Sequence, residues 1–248
     1  MAGQERISTR RTLIIRGAAV AGAAVALRAA AALAADAPAS KPSSSAPPDV
    51  SPTEDLMREH GVLRRVLLIH DEVGRQLSAL TPVPPQTLAG TTGVIRKFIQ
   101  DYHEKLEEDF IFPLFTPAAK SADAAKLADL VKTLKAQHDA GRKLVDQIAR
   151  LAKEDAIKEK DSRLRLVDAL RLFARMYRPH AAREDTVLFP ALHSVMTAAQ
   201  FDQMGDKFED KEQDLFGKGG FEKIVADVDA MEKALGIEDI SKFTPTGS

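Results

Sequence analysis

H-E-K-L-E-E-D-F-I-F-P over residues 103–113 and H-A-A-R-E-D-T-V-L-F-P over residues 180–190 both fit H-x-x-x-E-[ED]-x-x-[IL]-F-P, at an offset of 77 residues. In an α-helix a residue four positions on lies about 40° around and one turn along. His103 with Glu107, and His180 with Glu184, therefore each aim a nitrogen and an oxygen at one point. His60 and His138 stand 78 residues apart, and each is followed four and five residues later by basic residues, Arg64-Arg65 and Arg142-Lys143. The pattern is that of two related helical hairpins, His60 with His103 and His138 with His180. Pseudo-twofold symmetry then brings two equivalent half-sites together.

The sequence around these motifs has helical periodicity. Ser51-Pro52-Thr53-Glu54 opens a first helix with a cap residue, a proline at the first helical position and a glutamate three residues after the cap. It is expected to run to Leu80, where T-P-V-P-P breaks it. Further helices are expected from Gln86 to Phe115, from Asp123 to Lys153 and from Ser162 to Met196. Their apolar stripes read Leu56, Leu63, Leu67; Ile95, Ile99, Leu106, Phe110; Leu127, Val131, Leu134, Val145; and Leu166, Phe173, Met176, Val187. The segment Thr197 to Gly236 reads as two more helices around Gly217-Lys218-Gly219-Gly220, with Glu209 and Glu212 on the first. The expected fold is all-α, an up-down antiparallel four-helix bundle with extra C-terminal helices over residues 53–240.

One histidine interrupts each stripe near its centre: His60, His103, His138 and His180. A lone buried imidazole is usually a hydrogen-bonded core residue, because leaving it unpaired is expensive. Four in four helices form a pattern. At about 1.5 Å per residue, His60 and His103 stand roughly 30 and 26 Å from the turn between their helices, so the imidazoles can share one layer.

That layer offers four imidazoles and two carboxylates. Two glutamates facing each other in an apolar core would repel and protonate, and cations between them remove the conflict. Two metal ions are the natural stoichiometry, each with two His and both Glu bridging. Taken singly, each H-x-x-x-E is also what a solvated i,i+4 pair looks like. A single zinc held by three or four of the donors is a further alternative, though it leaves donors unused. Cysteine is absent from the 248 residues, so any metal is held by N and O donors, which suit iron, zinc, manganese or copper.

Residues 1–35 carry a twin-arginine pair, Arg10-Arg11, before an Ala-rich apolar run, with an A-x-A-like region near Ala32, Leu33 and Ala34. Arg16 and Arg28 leave eleven residues between them, against the roughly 20 a membrane span needs. The expectation is a twin-arginine-type signal peptide, export to the periplasm, and no membrane attachment in the mature form. Residues 36–52, rich in Pro, Ser and Ala, read as a flexible linker. Without the five Arg and one Glu of residues 1–35, the rest carries 30 basic and 35 acidic residues, a net −5. A mildly acidic body argues against nucleic-acid binding, which shows a basic face.

The motif set resembles the hemerythrin-like, or HHE cation-binding, family. There, one His on the first helix, H-x-x-x-E on the second, one His on the third and H-x-x-x-E on the fourth hold a non-heme di-iron centre. Matched residue by residue, His60, His103, Glu107, His138, His180 and Glu184 fall on those positions, and the likeness covers residues 52–236. The F-P after each H-x-x-x-E segment and the E-H at Glu59-His60 also look like the family. Where oxygen-carrying hemerythrins have a second His on the third helix, this chain has Arg142. Where they use an Asp five residues after the fourth-helix His, Asp185 is available, with Glu184 at the better helical angle.

The resemblance implies two non-heme Fe ions and a small ligand, dioxygen, nitric oxide or peroxide, bound for storage, delivery or sensing. A di-iron redox enzyme consuming peroxide or acting as an oxidase is the alternative, and an iron-holding bundle without turnover is a third. Glu104, Asp185 and Glu212 are further candidate carboxylates, Glu104 being equally readable as solvent-facing. His70, about 80° from His60, borders the core; His193, about 140° from His180, faces water. Tyr102 and Tyr177 lie beside the layer as packing residues or hydrogen-bond donors, and Pro179 is expected to kink the fourth helix before His180.

Overall fold

The computed structural model describes residues 50–119 and 122–245. The expected signal peptide, residues 1–35, and residues 36–49 of the expected linker lie outside the described residues. Ser51 caps α1 (Pro52–Ser78), its hydroxyl accepting from the Glu54 amide at 3.2 Å. The helix stops two residues before the expected Leu80, which takes a left-handed φ of 57°.

α2 is one continuous helix over residues 85–114, but its winding changes. Pro85–Val94 is α-helical, Ile95–His103 is a wide π-helix, Glu104–Leu106 is α-helical, Glu107–Ile111 is again π, and Phe112–Leu114 is a 3-10 turn. α3 (Ala124–Leu151) is regular. A short exposed turn, Glu154–Lys158, leads to α4 over residues 160–195, which is α-helical at Lys160–Arg183, π at Glu184–Leu188 and α-helical at Phe189–Val195. Pro179 lies inside α4, and the helix continues through it.

The π segments Glu107–Ile111 and Glu184–Leu188 occupy the same place in the 77-residue repeat. Each adds a residue to a turn, and the apolar stripe shifts with it. Ordinary periodicity puts Phe110 and Val187 on the histidine face. In the structure Phe110 is half-buried and Val187 is exposed, while their neighbours Ile111 and Leu188 are fully buried. Placing Val187 in the core stripe is thus corrected by the wide turn.

α1 packs along α4, α4 along α3, α3 against α2 and α2 against α1, which closes the square of an up-down bundle. Two further helices cover α1 and α2: α5 (Ala198–Phe216), opened by a Thr197–Gln200 capping box, and α6 (Gly220–Leu235). Phe98 and Tyr102 of α2 meet Phe216 of α5 at ring separations of 5.8 and 5.4 Å. Arg65 of α1 pairs with Asp229 and Glu232 of α6. The connection between α5 and α6 needs left-handed backbone at Gly217 and Gly219, with φ of 68° and 69°.

Candidate metal centre

The mainly aliphatic and aromatic bundle interior contains one concentrated polar layer. In that layer His60, His103, Glu107, His138, His180 and Glu184 are all at most 4% exposed. They arrive from four helices, and the repeat makes them two pairs. His60 and His103 bring their Nε2 atoms to 3.0 Å, and His138 and His180 theirs to 3.2 Å.

The glutamates lie between the pairs. Glu107 Oε1 is 3.7 Å from His103 Nε2, and its Oε2 is 3.5 Å from His138 Nε2. Glu184 Oε1 is 3.2 Å from His180 Nε2, and its Oε2 is 3.3 Å from His60 Nε2. Each carboxylate thus offers one oxygen to each half. Among the described residues none of these four buried oxygens has a hydrogen-bond partner. A buried carboxylate without donors is costly, and a cation is a partner that would offset its charge. The groups Glu107, His138, His180, Glu184 and His60, His103, Glu107 each bring their donor atoms close enough to hold a metal ion. Imidazole nitrogen and carboxylate oxygen fit iron by donor type.

Every ring is oriented through its other nitrogen. His60 Nδ1 lies 2.6 Å from Asp185 Oδ1, His103 Nδ1 2.8 Å from Glu59 Oε2, His138 Nδ1 3.0 Å from Glu108 Oε1, and His180 Nδ1 2.9 Å from Gln137 Oε1. With Nδ1–H donating outward, Nε2 presents its lone pair to the layer. The acceptors are themselves held: Arg64 pairs with Asp185, and Arg142 donates to Glu108 at 2.6 Å. Phe189 lies flat over His60 and Phe112 over His138, with ring centroids 5.7 and 5.5 Å apart. These phenylalanines belong to the repeated F-P.

The charges follow from these neighbours. Burial alone would lower His60, but Asp185, Glu184 and Glu107 together outweigh it and hold the ring up at about 10. His138 likewise loses to burial less than it gains from Glu107, Glu108 and Glu104, and stands at about 10. Burial dominates at His103, pushed down to about 4. In the first pair the two nitrogens 3.0 Å apart share one proton, which His60 keeps and His103 accepts. Burial and the facing Glu184 push Glu107 up, whereas burial at Glu184 is overcome by His180 and His60, which pull it down.

Other expectations resolve individually. Glu104 does not face solvent: it is 1% exposed, accepts from the Tyr177 hydroxyl at 2.7 Å and from Arg142 at 2.9 Å, and lies on the Nδ1 side of His138. Burial and the Glu104 carboxylate raise the Tyr177 phenol well above its usual range. α3 passes so close that a Cβ at Gly141 would meet the Tyr177 oxygen at 2.1 Å. Asp185 orients His60 rather than joining the Nε2 cluster. Glu212 sits with Asp55 and Glu59, and its Oε1 accepts from the Phe221 amide at the start of α6. Glu209 is half-buried on α5. His70 is buried, and His193 is exposed against the Phe201 ring. Tyr102 is buried against Phe98 and Phe216.

Sequence reasoning missed Glu59, Glu108 and Gln137 as the partners of the histidines. The repeat carried the signal: Glu59 and Gln137 each precede a motif histidine, and Glu108 and Asp185 each lie five residues after one.

The family model described as Hemerythrin HHE cation binding domain matches residues 51–192 and, overlapping, 129–234. Uncharacterized proteins of Mycobacterium bovis and of two strains of Mycobacterium tuberculosis are each 44% identical to this chain over 197 residues, covering 79% of it and 75% of the relative. No solved structure matches. The chain belongs to the hemerythrin HHE cation binding domain family.

Proposed function

We propose that this hemerythrin HHE protein holds two non-heme iron ions in the layer, one between His60 and His103 and one between His138 and His180. Glu107 and Glu184, each with an oxygen toward either half, would be shared between them, and the centre would bind dioxygen, nitric oxide or a related small ligand for storage, delivery or sensing. The observation that carries this reading is the set of four buried carboxylate oxygens without hydrogen-bond partners, each facing a different imidazole nitrogen. When bound, an iron pair supplies coordination positions that six protein ligands leave open.

The chain's own residues do the rest. The four Nδ1 acceptors fix the rings, Phe112 and Phe189 shield two of them, and the surrounding aliphatic residues exclude water. A second reading, a redox enzyme acting on peroxide or dioxygen, is favoured by Tyr177, whose hydroxyl proton is held against Glu104 beside the layer.

Metal analysis of the purified protein should give two irons per chain, with the visible absorption of a bridged diferric centre. One metal per chain, or zinc alone, overturns the reading. Mixing the anaerobic diferrous protein with oxygen separates the two functions: reversible colour marks a carrier, and irreversible oxidation or turnover marks an enzyme. We also propose that residues 1–35 direct export and that the domain over residues 53–240 works in the periplasm. Cell fractionation with N-terminal sequencing tests this, and an uncleaved cytoplasmic chain would refute it. Among the described residues no helix is long and apolar enough to cross a membrane.

A further inference from the structure

The two halves of the centre share one plan and differ in the charge of one imidazole acceptor. The repeat maps Asp185 on His60 onto Glu108 on His138, Arg64 onto Arg142, and the Phe189 ring onto the Phe112 ring. It also maps Glu59 on His103 onto Gln137 on His180, with contacts of 2.8 and 2.9 Å. Here an anion in one half is replaced by a neutral amide in the other.

We propose that Glu59 and Gln137 make the halves electronically unequal, the His60–His103 half being the stronger donor. It then binds its metal more tightly and holds an iron that is harder to reduce. The inference rests on the two-metal reading above.

A buried carboxylate accepting from Nδ1–H draws that proton outward and leaves more electron density on Nε2, the atom facing the layer; an amide oxygen does so weakly. Glu59 is 0% exposed, so solvent does not dilute its charge. The Nδ1–H of His103 at 2.8 Å favours its charge against the crowding of the Asp55 and Glu212 carboxyls in the same cluster, and the repeat counterpart of Asp55 is Thr133. Glu104 works in the opposite direction, on the His138 side. It is 4.0 Å from His138 Nδ1, outside hydrogen-bond range, and Arg142 at 2.9 Å and the Tyr177 hydroxyl offset its charge.

The test is anaerobic titration of the metal-free full chain with ferrous ion, followed by reductive titration of the loaded, oxidised protein. The wild type should take up two ions in separate steps. Gln137→Glu should strengthen the weaker step about tenfold or more and narrow the gap between the two one-electron reductions. Glu59→Gln should weaken the tighter step by a similar factor. His180→Ala, which removes a donor from the weaker half, should leave the tight step in place. Gln137 is half-buried, so its variant keeps the test alive if Glu59→Gln fails to fold. Two ions bound with equal affinity, or steps that Gln137→Glu leaves within twofold of wild type, overturn the inference while sparing the two-metal reading. A protein that binds no iron overturns that reading itself.

Discussion

His60 and His70 lie on the same helix, ten residues apart, and both are buried, yet their surroundings drive them in opposite directions. His60 meets carboxylates on both ring nitrogens and is held up at about 10. His70 has Thr91 at 3.3 Å on Nε2, no partner on Nδ1 among the described residues, and the edge of Phe173 at 5.5 Å; burial pushes it down to about 3. Removal from water therefore does not fix a histidine's charge in this bundle. The neighbouring anions do, and they divide the interior into a cation-ready layer and an ordinary core.

The sharpest way to break the comparison is to empty the layer. Glu107→Ala removes one oxygen from each half and should drop iron from two per chain to less than one by metal analysis, with helicity retained by circular dichroism. Full retention would deny the bridging role. Outside the layer, Phe173→Ala beside His70 should cost about 3–5 kcal/mol in denaturant unfolding through transfer and cavity terms, with iron stoichiometry unchanged in the folded fraction.

Asp185→Asn keeps the shape and removes the charge beside His60. Iron affinity should fall about 10-fold to 100-fold by competition with a chelator. The metal-free protein should also respond to pH through the layer. His60 and His138 are raised from 6.5 to about 10, so the stability they contribute is complete below pH 6.5 and is lost as pH climbs towards 10. Denaturant midpoints should fall over that window, and metal affinity should rise over it because the same protons are displaced. A flat midpoint would count against the assigned charges.

His70 supplies the smallest effect with the opposite sign. Its folded value is depressed, so its contribution is lost as pH falls from 6.5 towards 3. His70→Leu should flatten that acid loss and shift neutral-pH stability by less than about 1.5 kcal/mol.

The six residues of the layer were legible because a repeat doubles the evidence: one H-x-x-x-E is common, but two at matching heights in apolar stripes constrain each other. The helices were legible from the cap at Ser51 and the prolines after Leu80, with ends shifted by one or two residues. The wide turns at Glu107–Ile111 and Glu184–Leu188 were not, because regular periodicity is the assumption by which a stripe is read. Glu104 is open to two readings in the sequence for a related reason. An acidic residue beside a motif histidine looks solvated until the helix carrying Tyr177 and the one carrying Arg142 close over it.

Those wide turns have a consequence for how the chain tolerates change in length. Each stores one residue more than a regular helix needs, directly between the glutamate of an H-x-x-x-E motif and the phenylalanine that lies on a histidine of the opposite hairpin. Deleting a residue there would rewind the turn and rotate everything beyond it by about 100°, swinging Phe112 or Phe189 off its imidazole while leaving the H-x-x-x-E ahead of it untouched. The spare residue is what lets one helix serve two registers, the first set by the His/Glu layer and the second by an aromatic cover.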